Sequence, residues 1–282
     1  MADRLGPEID AIRRALAEDR VADDVTTRLL GAAAELPATG RFVAEGDFVL
    51  AGLPIAALVF EEIDRGACLD TQRPDGAEVG RGDVLATVSA PARTLLAGER
   101  VALNFLQRLS GVATLTRRAV DAVRGTACRI THTRKTTPGL RALELYAVRV
   151  GGGVDHRGSL AEAVLWKDNH WALLGARGGG GSLRDALATS PVGTPVVIEV
   201  EDERQLEEAL AAGVTHILAD NQPPERIAEW VRRAGPAILI EASGGITPES
   251  AAAYADAGAK LISMGSLTHS APAAPISFAI AR

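Results

Sequence analysis

Lysine is rare in this sequence, and two of its lysines lie among other residues that could do chemistry. Only three of the 30 Lys and Arg residues are lysine. Lys135 belongs to the run Thr133-Arg-Lys-Thr-Thr137, and Lys167 begins the run Lys167-Asp-Asn-His170. An ammonium is a compact point charge, whereas a guanidinium is a planar fork, so a site that needs one does not readily accept the other. The two lysines are therefore predicted to act in ligand binding or catalysis.

Three more basic residues accompany these lysines, namely Arg134, His156 and Arg157. We expect all five to collect at the ends of three successive strands, which is more positive charge than one phosphate requires. Arginine suits carboxylates because it binds them with two hydrogen bonds, while lysine suits phosphate or pyrophosphate oxygens. The cluster predicts a substrate with several anionic groups. For any single member, a structural salt bridge is the alternative.

Two carboxylates and two glycine-containing turns follow further along the chain. Glu199 and Asp220 could accept hydrogen bonds from sugar hydroxyls or hold Mg²⁺, which prefers one or two carboxylates plus substrate phosphates. As alternatives, either is a helix cap or a solvated acid. Ser243-Gly244-Gly245 and Gly265-Ser266 are predicted to bind a phosphate monoester, because glycine lets backbone N–H groups approach closely. Ordinary turns between strand and helix are the alternative there.

The elements that must position these residues repeat along the second half of the chain. Short apolar runs at residues 196–200, 215–219, 237–241 and 260–264 are typical of buried strands. Helical stretches lie between them, at residues 203–212, 224–234 and 248–257, and each is followed by a glycine, at Gly213, Gly235 and Gly258. This βαβ repetition has the period of an α/β barrel, whose working groups lie at the carboxyl ends of the strands.

Further elements are predicted upstream. Strands at residues 127–131, 147–150 and 163–167 bring the barrel to seven strands, one short of a full eightfold barrel. Residues 95–109 and 113–124 are predicted to form two helices separated at Ser110-Gly111, and residues 175–181 a flexible loop. Residues 1–94 have the texture of an α+β companion domain, with a helix at 7–18, strands at 40–45 and 49–51, and a helix at 54–62.

Composition excludes several classes of function. The net charge of −6 argues against nucleic acid or an anionic membrane as the main partner. The sequence shows no signal peptide and no apolar run near the ~18 residues of a membrane span, so we expect a soluble, cytoplasmic protein. Cys68 and Cys128 are predicted to be buried, and His216 to be a core histidine. No acyl-transfer triad, dinucleotide fingerprint or zinc constellation is apparent. Transfer chemistry on a phosphorylated sugar is favoured.

Several motifs together resemble those of the quinolinate phosphoribosyltransferases, also called carboxylating nicotinate-nucleotide pyrophosphorylases. They are found at residues 24–27, 99–114, 133–141, 156–157, 167–170, 199, 220–221, 241–246 and 267–270. The resemblance implies an N-terminal α/β open-sandwich domain at residues 1–112, to which residues 268–282 return. This domain would accompany an incomplete seven-stranded α/β barrel at residues 113–267. It also implies a homodimer.

The resemblance further implies roles for individual residues. Quinolinate carboxylates would be bound by Arg134, His156, Arg157 and Lys167, with Arg100 reaching in from the partner subunit. Lys135 and Lys167 would also contact phosphoribosyl pyrophosphate. Glu199 and Asp220 would hold the ribose hydroxyls and Mg²⁺. The expected catalytic residues are Lys135, Lys167, Glu199 and Asp220. The 5-phosphate would be bound by Ser243, Gly244, Gly245, Gly265 and Ser266.

The implied reaction transfers phosphoribosyl to quinolinate with loss of CO₂, giving nicotinate mononucleotide and pyrophosphate. His132, Leu145, Asp155 and Ala219 stand where the family usually has other residues. A paralogue acting on a related pyridine acid, or a pyrophosphorylase of the molybdenum-transport type, is therefore an alternative. From another class, the alternative is a noncatalytic module that binds a phosphate-containing ligand.

Overall fold

The computed structural model describes residues 6–176 and 182–280, which divide into two units. One unit takes the described residues of Met1–Arg117, Thr136–Gly152 and Leu267–Arg282, and the other takes those of Arg118–Lys135 and Gly153–Ser266. The domain boundaries expected at residues 112 and 267 stay a prediction. Most of the predicted loop at 175–181 lies outside the described residues. Among the described helices, none is long and apolar enough to cross a membrane.

The first unit contains helices and mainly antiparallel strands. Its helices are α1 (Gly6–Glu18), α2 (Val25–Arg28), α3 (Leu53–Ile63), the greater part of α4 (Ala92–Ala122) and α5 (Arg141–Val150), with short 3₁₀ turns at Val21–Asp23 and Gly31–Glu35. Its strands are β1 (Pro37–Ala44), β2 (Phe48–Val49), β3 (Cys68–Thr71), β4 (Glu78–Val79), β5 (Val84–Pro91) and β12 (Ile276–Ile280).

The main sheet of this unit joins strands that are far apart in sequence. Its order is β12-β1-β5-β3, and the pairs are antiparallel. Phe42 on β1 and Phe278 on β12 bring their ring centroids to 4.8 Å, and Phe60 on α3 lies 6.2 Å from Phe42. A Cβ on Gly40 would lie 2.0 Å from the Phe278 ring, so only glycine leaves room for that ring. Three aromatic rings thus form the centre of this core.

Helix α4 is continuous, so the predicted break at Ser110-Gly111 is wrong. Ser110 is buried; its hydroxyl accepts a hydrogen bond from Ala51 N at 3.0 Å and donates to Ala51 O at 3.1 Å. A Cβ on Gly111 would lie 1.9 Å from the backbone oxygen of Pro272. The small residues therefore allow two backbone segments to approach the helix closely. A mid-helix glycine costs only about 1 kcal/mol relative to alanine, which close packing can offset.

We expect a Gly111→Ala variant to lose about 1–3 kcal/mol of unfolding free energy, because the added methyl group overlaps the Pro272 backbone and the surroundings must shift. Urea unfolding followed by circular dichroism measures the loss. Asn104→Ala is the matched control, because Asn104 is exposed on the same helix and gains helix propensity on substitution. Equal stability of the Gly111→Ala variant and the wild type would contradict the close approach.

The strand predicted at residues 147–150 is also wrong, because these residues end helix α5. Leu143, Glu144, Ala147 and Val148 are its buried residues, a spacing that places them on one face of a helix. The valines were responsible for the strand prediction. β-propensity depends on context, however, and here the buried helical face decides the structure.

The second unit is built on a parallel sheet. Its strands are β6 (Arg129–Thr131), β7 (Val164–Trp166), β8 (Val196–Val200), β9 (His216–Asp220), β10 (Leu239–Ser243) and β11 (Leu261–Ser263). Its helices are α6 (Asp168–Ala176), α7 (Leu183–Leu187), α8 (Glu203–Ala211), α9 (Pro224–Ala234) and α10 (Pro248–Asp256). Helix α11 (Ser266–His269) follows β11.

The sheet order is β6-β11-β10-β9-β8-β7, and all five pairings are parallel. The predicted α/β class is thus confirmed. In place of a further strand, Val154 forms a single parallel bridge with Thr131. The three predicted helix-ending glycines all have positive φ, 80° at Gly213, 78° at Gly235 and 97° at Gly258, which glycine adopts readily. Gly235, with ψ 173°, departs from the left-handed helical cap that was expected there.

The two cysteines differ in environment, so the prediction that both are buried is half right. Cys128 is buried, and burial raises the pKa of its thiol to about 11. Cys68 is exposed at the start of β3, which is an edge strand of the antiparallel sheet. Although Cys68 is hydrophobic, it is not buried, because an edge strand such as β3 has one side without a neighbouring strand.

Candidate active site

Side chains at the carboxyl ends of the parallel strands line a pocket of about 340 Å³ within the second unit. Eight of the predicted site residues lie there: Arg134, Lys135, His156, Arg157, Lys167, Glu199, Asp220 and Ser243. Leu165 and Leu218 supply apolar wall. The pocket therefore combines cations, carboxylates and an apolar surface, as a site for a flat, multiply charged ligand requires.

Lys167 and Glu199 form an ion pair in this pocket. The Lys167 Nζ lies 3.0 Å from Glu199 Oε2, with the lysine side chain 44% exposed and the glutamate side chain 9%. β7 ends one residue before Lys167, and the backbone N–H of Lys167 donates to His170 Nδ1 at 2.9 Å. The run Lys167-Asp-Asn-His170 thus fixes the turn that presents the ammonium, and the lysine enters the pocket with a defined direction.

The acids of the pocket repel one another. Burial raises the pKa of Glu199, the Lys167 ammonium opposes that rise, and the nearby charges of Asp220 and Asp168 add to it. Glu199 therefore lies close enough to two other acids to be affected by them. A ligand that brings positive charge between Glu199 and Asp220 would relieve this repulsion.

Two arginines, Arg134 and Arg157, also line the pocket. Burial lowers the pKa of Arg157, and the neighbouring Arg134 guanidinium lowers it further, while Glu199 opposes the change. Arg157 Nη1 donates to the carbonyl of Ala163 at 3.2 Å, which orients the guanidinium. Lys135 is exposed, and its backbone N–H donates to Thr133 Oγ1 at 3.1 Å. Two guanidiniums held close together attract an anion such as a carboxylate.

His132 occupies a fully buried position beneath these cations. Its Nε2 accepts a hydrogen bond from the backbone N–H of His156 at 3.2 Å. The histidine therefore helps to place the segment that carries His156 and Arg157.

The turn after β10 has the backbone shape that glycine permits. Gly244 has φ 96° and Gly245 has φ 62°. A Cβ on Gly244 would lie 2.2 Å from Asn221 Oδ1, and Asn221, itself at φ 53°, donates its N–H to Ser243 O at 2.8 Å. Gly265 follows β11, the next strand in the sheet, after one intervening residue, and Ser266 begins α11. The predicted phosphate-binding turns thus follow adjacent strands.

A group that sequence reasoning missed lies on the same strands. Glu241 is fully buried, and its Oε2 lies 2.7 Å from His216 Nε2 and 3.3 Å from His156 Nε2. Burial by itself raises the pKa of Glu241, but the bonds and charges of the two histidines outweigh it and lower the pKa to about 2. The prediction that His216 is simply a core histidine is therefore wrong, because its ring is paired with Glu241. Alternation along β9 and β10 could have indicated that His216 and Glu241 face inward with Asp220 and Ser243.

Arg100 lies exposed on α4, in the first unit. Its predicted role in the site of a partner subunit stays a prediction, as do the roles assigned to each residue of the pocket.

A parallel sheet with cations, carboxylates and glycine turns at its carboxyl edge defines an α/β protein whose candidate active site lies where α/β enzymes usually place theirs. Residues 24–110 match the family described as "Quinolinate phosphoribosyl transferase, N-terminal domain", and residues 112–279 match "Quinolinate phosphoribosyl transferase, C-terminal domain". The chain belongs to the quinolinate phosphoribosyltransferase family.

Individual relatives agree with this assignment. The chain is 44% identical over 271 residues to the nicotinate-nucleotide pyrophosphorylase (carboxylating) of Mycobacterium leprae, covering 93% of each protein. It is 43% identical over 241 residues to the probable enzyme of that name from Bacillus subtilis, covering 84% of this chain and 81% of that one. The solved nicotinate-nucleotide pyrophosphorylase of Francisella tularensis superposes with a TM-score of 0.90 at 30% identity, covering 98% of this chain and 96% of the other. The solved structure of NadC from Streptococcus pyogenes superposes with a TM-score of 0.88 at 36% identity, covering 97% of this chain and 96% of the other.

Proposed function

We propose that this protein transfers the phosphoribosyl group of phosphoribosyl pyrophosphate to quinolinate and releases CO₂, forming nicotinate mononucleotide and pyrophosphate. The observation that carries the proposal is the pocket itself, in which cations, two repelling carboxylates and the serine of a glycine turn lie at one edge of a parallel sheet. Each reacting group of the two substrates has a matching chemical partner there. The family relationship supports the same reaction.

Quinolinate, a flat ring with two adjacent carboxylates, fits the cationic wall. Arg134 is close enough to Arg157 to lower its pKa, and a carboxylate between the two guanidiniums would offset their repulsion. His156 and Lys167 would contact the second carboxylate. Leu165 and Leu218 provide apolar surface for the ring. This arrangement would orient the ring nitrogen toward the sugar carbon.

The phosphoribosyl pyrophosphate would lie along the carboxyl edge of β8 to β11. Ser243, Gly244 and Gly245 would bind the 5-phosphate together with Gly265 and Ser266, because glycine turns present backbone N–H groups. Lys135, exposed at the rim, would neutralise the pyrophosphate as a point charge. Glu199 and Asp220 would accept hydrogen bonds from the ribose hydroxyls.

The donor set also fits Mg²⁺. Glu199 and Asp220 raise each other's energy when both are ionised, and Mg²⁺ prefers one or two carboxylates with substrate phosphates completing its ligands. When bound, the ion would neutralise charge on the departing pyrophosphate. We propose that the enzyme depends on it.

The reaction needs no general base. The ring nitrogen of quinolinate forms a bond to the ribose C1 while the bond from C1 to the pyrophosphate oxygen breaks, and positive charge develops on the sugar. The ring then carries a positive nitrogen, which accepts the electron pair released when the bond between C2 and its carboxylate breaks. CO₂ leaves, and C2 takes a proton from solvent. Preorganised charge from Lys135, Lys167 and the acids is the main catalytic resource.

Two further parts of the proposal rest on the family resemblance. We propose a homodimer in which Arg100 of each subunit contributes to the quinolinate site of its partner, and a cytoplasmic location.

The test is incubation of purified protein with quinolinate, phosphoribosyl pyrophosphate and Mg²⁺. We expect equal amounts of nicotinate mononucleotide and CO₂, measured by chromatography and by release of labelled CO₂. Chelation of Mg²⁺ should stop both, and nicotinate is the control substrate because it lacks the 2-carboxylate and cannot release CO₂ by this route. Binding of phosphoribosyl pyrophosphate in calorimetry without either product would overturn the proposal in favour of a noncatalytic binding module.

A further inference from the structure

His156, His216 and Glu241 form a cluster at the pocket, in which Glu241 is fully buried and the two histidines are partly exposed. On β9, His216 precedes Leu218 and Asp220 on the same face, and both of those residues line the pocket. On β10, Glu241 similarly precedes Ser243. Glu241 therefore lines the pocket, and His216 lies next to it, with its Nε2 2.7 Å from Glu241 Oε2.

The three side chains have the arrangement of a metal-binding group. Each offers one ligand atom, and these atoms all lie within 4.8 Å of one another. The imidazole rings of His156 and His216 are 6.1 Å apart at their centroids and inclined at 72°, so they approach the carboxylate from different directions. Sequence reasoning predicted no zinc site because these residues are separated along the chain and follow no short motif.

Two buried polar atoms, one in this group and one in the neighbouring Ser263, have no hydrogen-bond partner among the residues that the structure describes. They are Oε1 of Glu241, in a residue with no exposed surface, and Oγ of Ser263, in a residue that is 5% exposed. Both residues line the pocket. Buried polar atoms almost always have a partner, since leaving one unpaired costs about 1–3 kcal/mol. The unpaired oxygens therefore indicate that a polar ligand or ion binds in the pocket next to Glu241 and Ser263.

We propose that His156, His216 and Glu241 bind a divalent transition-metal ion, best matched by Zn²⁺, with the fourth ligand position open to the pocket. Two imidazoles, one carboxylate and one exchangeable position form a ligand set that zinc adopts. Tetrahedral bonds of about 2.0–2.2 Å place neighbouring ligand atoms about 3.3 Å apart. The His156 to Glu241 distance is already 3.3 Å, and His216 would move outward from 2.7 Å.

The ligand types distinguish this site from the one proposed for Mg²⁺. Imidazole nitrogen suits zinc, cobalt, nickel and copper, whereas Mg²⁺ prefers oxygen ligands and retains water. Glu199 and Asp220 offer only oxygens. The two sites therefore select different ions. The metal-binding nitrogens must give up their protons, so affinity for the transition metal should rise with pH.

Occupation of this site would affect the proposed reaction, and this step rests on the proposed function. His156 is assigned to a quinolinate carboxylate, and a metal-bound imidazole nitrogen is no longer available as a hydrogen-bond donor. Zn²⁺ should therefore inhibit, and quinolinate should compete with it. The site would be an inhibitory metal site in the same pocket.

The experiment uses the full-length protein freed of metal and titrated with Co²⁺, which takes the same ligands as zinc and gives a visible ligand-field spectrum. We expect one Co²⁺ per chain with a tetrahedral spectrum that Zn²⁺ abolishes. In a His216→Gln variant, the affinity should fall by about 10–100-fold or more, because loss of even an outer partner of a metal ligand costs that much. Circular dichroism establishes that the variant is folded.

Two control variants locate the ion. Asp220→Asn removes a ligand from the proposed Mg²⁺ site and His269→Gln removes an exposed histidine on α11, and both should retain the tetrahedral Co²⁺ spectrum. A wild-type protein with no such spectrum would overturn the proposal, as would loss of the spectrum in Asp220→Asn with retention in His216→Gln. The spectrum does not depend on turnover, so these outcomes are independent of the proposed function. In the activity assay, Zn²⁺ inhibition should weaken when quinolinate is raised and in His216→Gln.

Discussion

An Arg108→Met variant is expected to lose about 3 kcal/mol of unfolding free energy, because it leaves the buried carboxylate of Glu144 without its counter-charge. The Glu144 side chain is fully buried, and the Arg108 side chain is 24% exposed. Arg108 donates to Glu144 Oε1 from Nε at 3.0 Å and from Nη2 at 2.6 Å. The same guanidinium donates to the carbonyls of Ala271 and Thr268. One side chain thus joins helix α4 both to Glu144 and to the backbone of the segment at residues 268–271 in the first unit.

A second substitution distinguishes the charge from the packing. Glu144 also accepts from the backbone N–H of Thr137 at 2.9 Å and from its hydroxyl at 2.7 Å. In Arg108→Met/Glu144→Gln, the neutral amide still accepts from Thr137, and no charge is left without a partner. We therefore expect the double variant to recover a substantial part of the lost stability.

Chemical unfolding of the three proteins at one pH measures both effects. Arg13→Met is the control, since the Arg13 to Glu62 pair lies at the surface with the arginine side chain 61% exposed, and its loss should change stability little. If Arg108→Met and Arg13→Met were equally stable, the buried Arg108–Glu144 pair would contribute no more to the free energy of unfolding than the exposed pair does. A double variant as unstable as the single one would show that packing, rather than charge, is responsible.

Substitution of Lys135 by alanine is expected to raise the activation barrier by about 3 kcal/mol, lowering kcat/KM by roughly 100-fold. The ammonium is proposed to neutralise the departing pyrophosphate, and its loss leaves developing negative charge without compensation. Lys135→Arg should restore little activity, because a planar fork does not replace a point charge at a site built for one. Steady-state kinetics with varied phosphoribosyl pyrophosphate measures the change.

Lys260→Ala is the matched control for this variant. Lys260 is also an exposed lysine of the second unit, at the start of β11 and away from the carboxyl edge of the sheet. Its removal should leave kcat/KM unchanged. Full activity in Lys135→Ala would exclude the proposed role of Lys135, and an equal loss in Lys260→Ala would indicate a general charge effect rather than a local one.

Local patterns in the sequence predicted much of the second unit. The strands from 196 onward are short, apolar and separated by helices that end at glycine, and each of these features is determined by neighbours along the chain. Because parallel strands place their carboxyl ends at one edge, the strand order was enough to bring six of the predicted residues to one pocket. The other two, His156 and Arg157, reach it after the single bridge at Val154 and not after the strand predicted at 147–150.

Features that depend on distant contacts were not predictable in this way. Gly111 lies inside a helix because of the backbone at Pro272, and residues 147–150 are helical because one face of α5 is buried. The group His156, His216 and Glu241 depends on the register between β9 and β10, in which His216 lies beside Leu239. The periodicity of the sequence shows which residues share a face of a strand, but not which residues of β9 and β10 lie side by side.

The position of β12 has a consequence for synthesis on the ribosome. β1 ends at Ala44, and its partner begins at Ile276, so β1 leaves the ribosome long before its neighbour exists. At about 5–20 residues per second, the delay is roughly 10–50 seconds. During that time one edge of β1 has no strand to pair with, and the aromatic core lacks Phe278. An unpaired edge invites association with other chains, so this unit completes its folding only after nearly the whole chain has been made.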